Sequence, residues 1–565
     1  MASRLAIYHP SGQFNLVNNP FGKDVANLEL FRALAAHGGF DQVSFLSQAN
    51  ISDAALRQGL LGDAPGGAAL TTASLLAQGR VAEAGVLLRG TPALSDIAWL
   101  RRRAVGDRAY SLMGLVHTLA PPALRQDMAT AAISPIQAWD ALICTSPSVQ
   151  DALNRMFDEW AEFLGDRFGG AKNPKPRLPL IPLGVDQPAI QARADRPQVR
   201  AQLRQELGLG EDDILVLWLG RLSFFEKAAP QPMFRAVQEA AQAAGAKVAF
   251  AMVGWFPNGD QDRARYQQAA EAYAPDVAVH FLDGNDQGRV GGFWAASDIF
   301  ISLVDNIQET FGITPVEAMA AGLPVVVSDW DGYRYTVQDG EQGFLIPTLG
   351  GPPASLGIAA AERHVLGLES YQLYVGGLAQ HTAVHVGRAA EAIAALIASP
   401  DLRRRMGEAG RQRVRAVFDW PVVARQYAAL ADELTAIRLA APADATRGGL
   451  NPVKGDPHRD FAGFASEVQT LETLLCVRPG VTPADIDRAM GLELDRFASS
   501  WRCSAEECAA VLAALGTAQR TVKDILLTFP PERRRAVQMG LMWMCKLGML
   551  DWLAAGEDQA PILRV

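Results

Sequence analysis

Cysteine is scarce in this chain, with five in 565 residues. That excludes a disulfide-stapled scaffold. Four of the five (Cys476, Cys503, Cys508 and Cys545) fall in roughly the last hundred residues. Cys503 and Cys508 lack the second close pair that a zinc site needs, and Cys476 and Cys545 sit in apolar helical patterns, so all four are expected to be core thiols. Long apolar runs are missing too. No stretch suffices to span a bilayer, and the opening MASRLAIY runs into a strand pattern rather than a leader, so the expected location is cytoplasmic. Nor is positive charge in excess: 52 Lys and Arg face 61 Asp and Glu, a net charge of −9. Bulk attraction to nucleic acid or an anionic membrane is disfavoured, and only local patches remain open. No nucleic-acid partner is expected.

What is present is ordinary globular composition, 49% hydrophobic and 20% charged, in a chain too long for one core. Strand-like runs at 4–10, 43–47, 85–89, 112–118 and 141–146 alternate with helical patterns. A second series follows at 213–222, 247–255, 277–283, 298–304, 324–329 and 343–347. Such alternation calls for parallel sheets with helical crossovers, hence an α/β fold of two doubly wound halves. Residues 349–385, with Tyr371, Tyr374 and His381, form an insert longer than a usual connection, and the sequence assigns it no role.

One segment concentrates chemistry. ETFGITPVE (309–317) follows an apolar strand and sets Glu309 and Glu317 eight positions apart around a Phe-Gly turn, a place to hold a polyhydroxylated ligand at the carboxyl end of a parallel strand. The competing structural reading makes Thr314 to Glu317 a capping box with Pro315 at the first helical position. About ninety residues earlier, DILVLWLGRLSFFEK (213–227) ends a buried strand at Gly220 and then sets Arg221 and Lys227 six apart. Arg offers phosphate a planar fork and Lys a movable point charge, which suits a leaving diphosphate. The bland alternative is two solvated surface charges.

These two segments, in this order, resemble the retaining nucleotide-sugar glycosyltransferases of family 4, with their Glu-x7-Glu signature and GT-B fold of two Rossmann-like domains. IPLGVD (181–186), DG (331–332), VQDGEQGFLIP (337–347), MGEAGR (406–411) and FDW (418–420) are similar to further stretches of that family. The likeness spans about residues 4–435 and is strongest over 213–347. It implies a donor site in which Arg221 and Lys227 grip the diphosphate, Glu309 orients hydroxyls of the sugar and Glu317 accepts from the ribose. The amides of Phe311, Gly312 and Ile313 complete the cradle, with Gly220 and Gly254 beside it. It also implies transfer with retention, needing no metal and no dedicated base, because a leaving phosphate oxygen can take the acceptor's proton.

In the first half, NPFGKD (19–24) opens a helical pattern, and a Gly-containing loop at a helix start suits a diphosphate, making Gly22 and Lys23 donor-binding candidates. The family often has two glycines there, whereas this chain has Phe21 and Gly22. His117 ends a strand facing the cleft, where the family commonly has a His beside the donor sugar. It joins Arg221, Lys227 and Glu309 as a catalytic candidate. Asp329 and Asp331 match the Asp-x-Asp of metal-dependent enzymes, but they follow the signature helix, so metal binding is not expected. The apolar stripe at Leu153, Met156, Phe157, Trp160, Phe163 and Leu164 carries an acidic opposite face and reads as core packing rather than a membrane surface. Arg101 to Arg103 and residues 172–177 are left as candidate acceptor or membrane contacts.

From 440 to 457 the composition is that of a linker, and beyond it Thr482 and Ser504 open good helix starts. The stretch 531–550 reads as part of an oligomerisation or scaffold domain in preference to a winged-helix-like module. The expected layout is an N-terminal acceptor domain (1–186), a nucleotide-sugar domain (187–414), a helix crossing back (415–440), a linker (441–460) and a mostly α-helical accessory domain (461–565). The expected activity is transfer of a sugar from a nucleotide sugar to an acceptor glycan, lipid-linked sugar or protein. Peripheral contact with the inner membrane face stays open, as does a protein partner or self-association through 461–565. The rival readings are a GT-B phosphorylase or nucleotide-sugar epimerase, and a non-catalytic scaffold working through its C-terminal helices.

Overall fold

The computed structural model describes residues 3–10, 22–48, 51–63, 66–170, 175–354, 356–442 and 449–553. They fall into two compact units, Met1–Asn451 and Pro452–Val565.

The first unit holds two six-stranded sheets. Strands β1 (Arg4–Tyr8), β2 (Gln42–Leu46), β3 (Ala69–Ala73), β4 (Val86–Arg89), β5 (Ser111–Leu115) and β6 (Ala141–Ile143) pair in parallel in the order β3-β2-β1-β4-β5-β6. Strands β7 (Ile214–Leu219), β8 (Val248–Gly254), β9 (Ala278–Asp283), β10 (Ile299–Ser302), β11 (Val325–Ser328) and β12 (Gly343–Ile346) repeat the scheme as β12-β11-β10-β7-β8-β9. This is the GT-B architecture of two Rossmann-like domains. The central strands are continuous apolar runs because helices cover both faces; every residue of β5, β8 and β10 is buried. In each sheet the order reverses at one point, between β1 and β4 and between β7 and β10. The loops there part and leave a crevice at the strands' carboxyl ends.

Strand β3 escapes the sequence pattern. It is an edge strand of sequence ALTTA in which only Leu70 is buried, so it lacks the apolar run that marks the others. The two passages between domains lie side by side. Val185 donates its amide to Phe418 O at 2.9 Å, Trp420 donates back to Val185 O at 3.1 Å, and the Trp420 ring covers Gly184. The helix Trp420–Ala440 then returns to the first sheet, where Arg438 donates to Ser111 Oγ and Arg108 O.

The second unit is mostly helical, with Pro483–Gly491, Ala505–Leu515, Val522–Leu527 and Arg534–Lys546 around a core that includes Ile486, Cys508, Val511 and Leu541. Both Thr482 and Ser504 open helices with reciprocal capping boxes. A small antiparallel sheet of Leu474–Val477, Arg520–Thr521 and Leu550–Trp552 joins them. Cys476 therefore lies in a strand rather than a helix, because Leu474–Val477 is too short for its periodicity to separate the two. Cys503 and Cys508 are buried with their Sγ atoms 3.3 Å apart. Of the composition read as linker, 443–448 lie outside the described residues, and Asp456 caps a short helix, Pro457–Asp460.

Arg101 is no surface contact. It is fully buried and makes a bidentate pair with Asp140 at 2.7 and 2.8 Å, besides donating to Tyr110 O and Pro135 O. Asp140 also accepts the amides of Leu112 and Gln137. Of the stretch 172–177, residues 172–174 lie outside the described residues, Lys175 donates to Asn154 and Asp158, and Arg177 pairs with Glu433. The helix Pro147–Phe168 buries Val149, Leu153 and Phe157 in the core, while Phe163, stacked on Trp160, is 52% exposed. We expect Asp140→Ala to destabilise the first unit by about 3–5 kcal/mol, because it strands a buried guanidinium. The exposed Arg103→Ala should stay within about 0.5 kcal/mol. Denaturant unfolding of both variants measures the contrast.

Candidate active site

The crevice between β7 and β10 gathers most of the motif residues. The loop after β7 carries Gly220, Arg221 and Lys227, and the loop after β10 carries Glu309. Lys227 Nζ reaches Glu309 Oε2 at 3.1 Å across the gap. Arg221 pairs with Glu226 and lies over the Trp255 ring at 5.9 Å. The loops are tied backbone to side chain as well: Asn306 Nδ2 donates to Phe225 O at 2.9 Å, and the Ala229 amide donates to Asp305. A small pocket opens between them, lined by Trp218, Gly220, Lys227, Ser302, Thr314 and Tyr333 among others. Gly254 closes its side: a Cβ there would stand 1.8 Å from Gly220 O, so only glycine lets β8 approach the loop.

Burial works to raise the Glu309 carboxyl, but Lys227 and the amides of Phe311 and Thr310 outweigh it and hold the group below its usual range. Glu309 therefore stays ionised. The turn that aims it needs Gly312, which has φ +86° and whose Cβ would meet the Tyr333 ring at 1.9 Å. Tyr333 Oη in turn lies 2.9 Å from Ser302 Oγ. Phe311 turns its ring into the core against Phe418, leaving its amide to Glu309.

The capping box available to Thr314 and Glu317 does not form. The helix is Ile313–Ala321, its N-cap is the left-handed Gly312, and no side chain caps it. Starting one residue before Thr314, it leaves Glu317 on the same face as Thr314 one turn on. Among the described residues the Glu317 carboxylate has no hydrogen-bond or ion-pair partner. Burial pushes its carboxyl up to about 7, Arg193 opposes this and Glu29 adds to it. Thr314 lines the pocket; Glu317 does not.

His117 is brought to the same place from the other domain. Thr310 Oγ1 donates to His117 O at 2.6 Å, Thr145 Oγ1 donates to Thr310 O at 3.4 Å, and Ser146 Oγ donates to Asp331 at 2.7 Å. The His117 ring lies 2.9 Å from Asn27 Oδ1. Burial first, then Lys23, push it down to about 4, so the imidazole is neutral at physiological pH. Lys23 and Gly22 open the helix Gly22–His37; both are exposed, and a Cβ on Gly22 would meet nothing within 4 Å. Residues 19–21 of that loop lie outside the described residues.

Asp329 pairs with Arg334 at 2.7 Å, while Asp331, at φ +38°, turns to Ser146. Burial, and the charge of Glu309, raise Asp331 to about 7, and burial raises Asp305 to about 8. Sequence reasoning passed over Asp305, Asn306, Ser146 and Tyr333. Only Ser146 carried a usable local signal, a Ser before Pro147 at a helix start.

Glu317 yields a test of stability. Its folded value lies above the ordinary 4.5, so its stabilising contribution is complete below that value and is lost as pH rises through about 7. Glu317→Gln should therefore raise Tm by about 2 °C or more at pH 8.5, with a smaller gain at pH 5. Thermal scans at the two pH values check it.

Residues 199–349 match the family described as Glycosyl transferases group 1. Phosphatidyl-myo-inositol mannosyltransferase of Mycobacterium leprae is 32% identical over 169 residues, 30% of this chain and 34% of that protein. D-inositol 3-phosphate glycosyltransferase of Corynebacterium glutamicum is 25% identical over 261 residues, 46% of this chain and 52% of that one. The chain thus spans about a third to a half of the length of these curated relatives. Anabaena Alr3699/HepE, solved with UDP and glucose, aligns over 76% of this chain and 100% of its own at 17% identity and a TM-score of 0.48. The matched region contains β7 to β12 with Arg221, Lys227, Glu309 and Glu317, so the likeness to the glycosyl transferases group 1 family falls on the part of the chain that builds this crevice.

Proposed function

We propose that this chain is a retaining glycosyltransferase that moves a hexosyl group from a nucleoside-diphosphate sugar to a hydroxyl of a glycan, a lipid-linked sugar or a protein. The observation that carries the reading is the Lys227–Glu309 pair closing the crevice beside Arg221. Both cations are held there by carboxylates, and a donor diphosphate would take over those contacts. As the bond from the sugar to the leaving phosphate breaks, negative charge gathers on that phosphate, and a fork and a point charge already in position stabilise it. Glu309, freed from Lys227 but still held ionised by two amides, then accepts from hydroxyls of the sugar. Glu317, ready to ionise near neutral pH, accepts from the ribose. The acceptor's proton passes to the departing phosphate oxygen, which balances the exchange without a separate base. Arg221 and Lys227 serve in place of a metal ion. The relatives' names, a mannosyltransferase and inositol-phosphate glycosyltransferases, support hexosyl transfer. We place the reaction in the cytoplasm, with access to the inner membrane face for a lipid-linked acceptor.

UDP-, GDP-, ADP- and dTDP-sugars, offered in turn, should single out one donor by thermal stabilisation and slow release of the free diphosphate. Lys227→Ala and Glu309→Ala should each lower turnover by about 10²-fold or more, and EDTA should change nothing. No stabilisation and no release with any donor would overturn the reading.

A further inference from the structure

The insert after β12 makes its contacts at the diphosphate loop. It enters and leaves at one point, where Thr348–Leu349 pairs antiparallel with Ala383–Val384. Its second helix, Tyr371–Ala379, lies directly on the loop after β7. Gly376 is pressed to Phe225 so closely that a Cβ would stand 2.7 Å from Phe225 Cβ. Tyr374 and Val375 are buried against Ala120, three residues beyond His117, and against Ile307. The helix is therefore wedged between the two domains at the site, and the ring of His364 stacks on Tyr374 at 5.3 Å to hold it.

Gln372 meets the Arg221 ion pair, and Tyr371 lies near enough to feel its charges. Gln372 Nε2 donates to Glu226 Oε1 at 3.2 Å, while Glu226 Oε2 holds Arg221. The Tyr371 hydroxyl is buried and has no hydrogen-bond partner among the described residues, and Glu226 and Arg221 are among the charges acting on it. Burial keeps that phenol protonated, so it is a donor without an acceptor. The Arg221 and Glu226 side chains are only 17% and 10% exposed. If Arg221 turned to a phosphate, Glu226 would be left a buried carboxylate short of a partner, a state that strongly opposes the move.

We propose that Tyr371 and Gln372 of the insert are positioning residues that receive Glu226 when Arg221 exchanges it for the donor diphosphate. The inference rests on the functional reading above and deepens it: the insert tunes affinity for the diphosphate and not for the nucleoside. In the free protein Gln372 already holds one oxygen of Glu226. On exchange the Tyr371 hydroxyl takes the oxygen Arg221 gives up, and the guanidinium is released without stranding its partner.

The test is calorimetric binding of ADP, GDP, UDP and dTDP, each beside its monophosphate, to wild type, Tyr371→Phe and Gln372→Ala. For the base that binds, Tyr371→Phe should weaken the diphosphate about tenfold or more, the loss of one hydrogen bond to a charged group made only on exchange, and Gln372→Ala should weaken it less, because its bond to Glu226 exists before exchange as well. The monophosphate should change less than about twofold, because it gains less from Arg221. Unchanged diphosphate affinity in both variants, or equal losses for diphosphate and monophosphate, overturns this inference alone. A wild-type protein that binds no diphosphate overturns the functional reading and this inference with it.

Discussion

Lys227 and Glu309 hold each other across the one place where the second sheet reverses its strand order. Everything else at the site is arranged around that contact. The reversal forces the loops after β7 and β10 apart, and parted loops leave backbone and side-chain polar groups without neighbours. The ion pair, with Asn306 to Phe225 and Ala229 to Asp305, spans the gap. Its members sit on the loops that leave two adjacent central strands, so the sheet fixes where those loops start and the hydrogen bonds between the loops fix how they meet.

The other domain is registered to this pair by a few hydrogen bonds. Thr310, next to Glu309, donates to the carbonyl of His117, and Ser146 donates to Asp331. Where the chain passes between domains, the Val185 amide donates to Phe418 O and Trp420 donates to Val185 O. These polar contacts add to apolar packing that runs from one sheet's domain to the other, and they set the register of the site on that packed base.

The parts legible in the sequence are those whose signal is local or repeated. Buried central strands show as apolar runs, and the capping boxes at Thr482 and Ser504 are written in four residues each. The pairing of Lys227 with Glu309 was legible only through the resemblance, since 82 positions separate them. What was hidden depends on tertiary context. The edge strand Ala69–Ala73 lacks an apolar run, Arg101 is an unmarked member of an arginine triplet until Asp140 meets it, and Cys476 sits in a strand too short to show its period. Nothing in Tyr371 or Gln372 announces Glu226, nearly 150 positions earlier.

The carboxyls around the crevice separate by their partners. Glu309 has both a cation, Lys227, and backbone amides, and it stays ionised. Among the described residues Asp305, Glu317 and Asp331 have no cation in contact; Asp305 is buried and the other two are half-buried, and desolvation moves them to about 8, 7 and 7. Asp331 feels the charge of Glu309 directly, so the two cannot both be comfortably ionised. A diphosphate that drew Lys227 from Glu309 would remove the main support of that charge while adding charge of its own. Protons should then redistribute toward Asp331 and Glu309, unless hydroxyls of the sugar donate to Glu309 in place of the ammonium. On this logic the diphosphate and the sugar of a donor bound as proposed would favour each other's binding: the leaving group would take the lysine, and the hydroxyls of the same molecule would make good its loss.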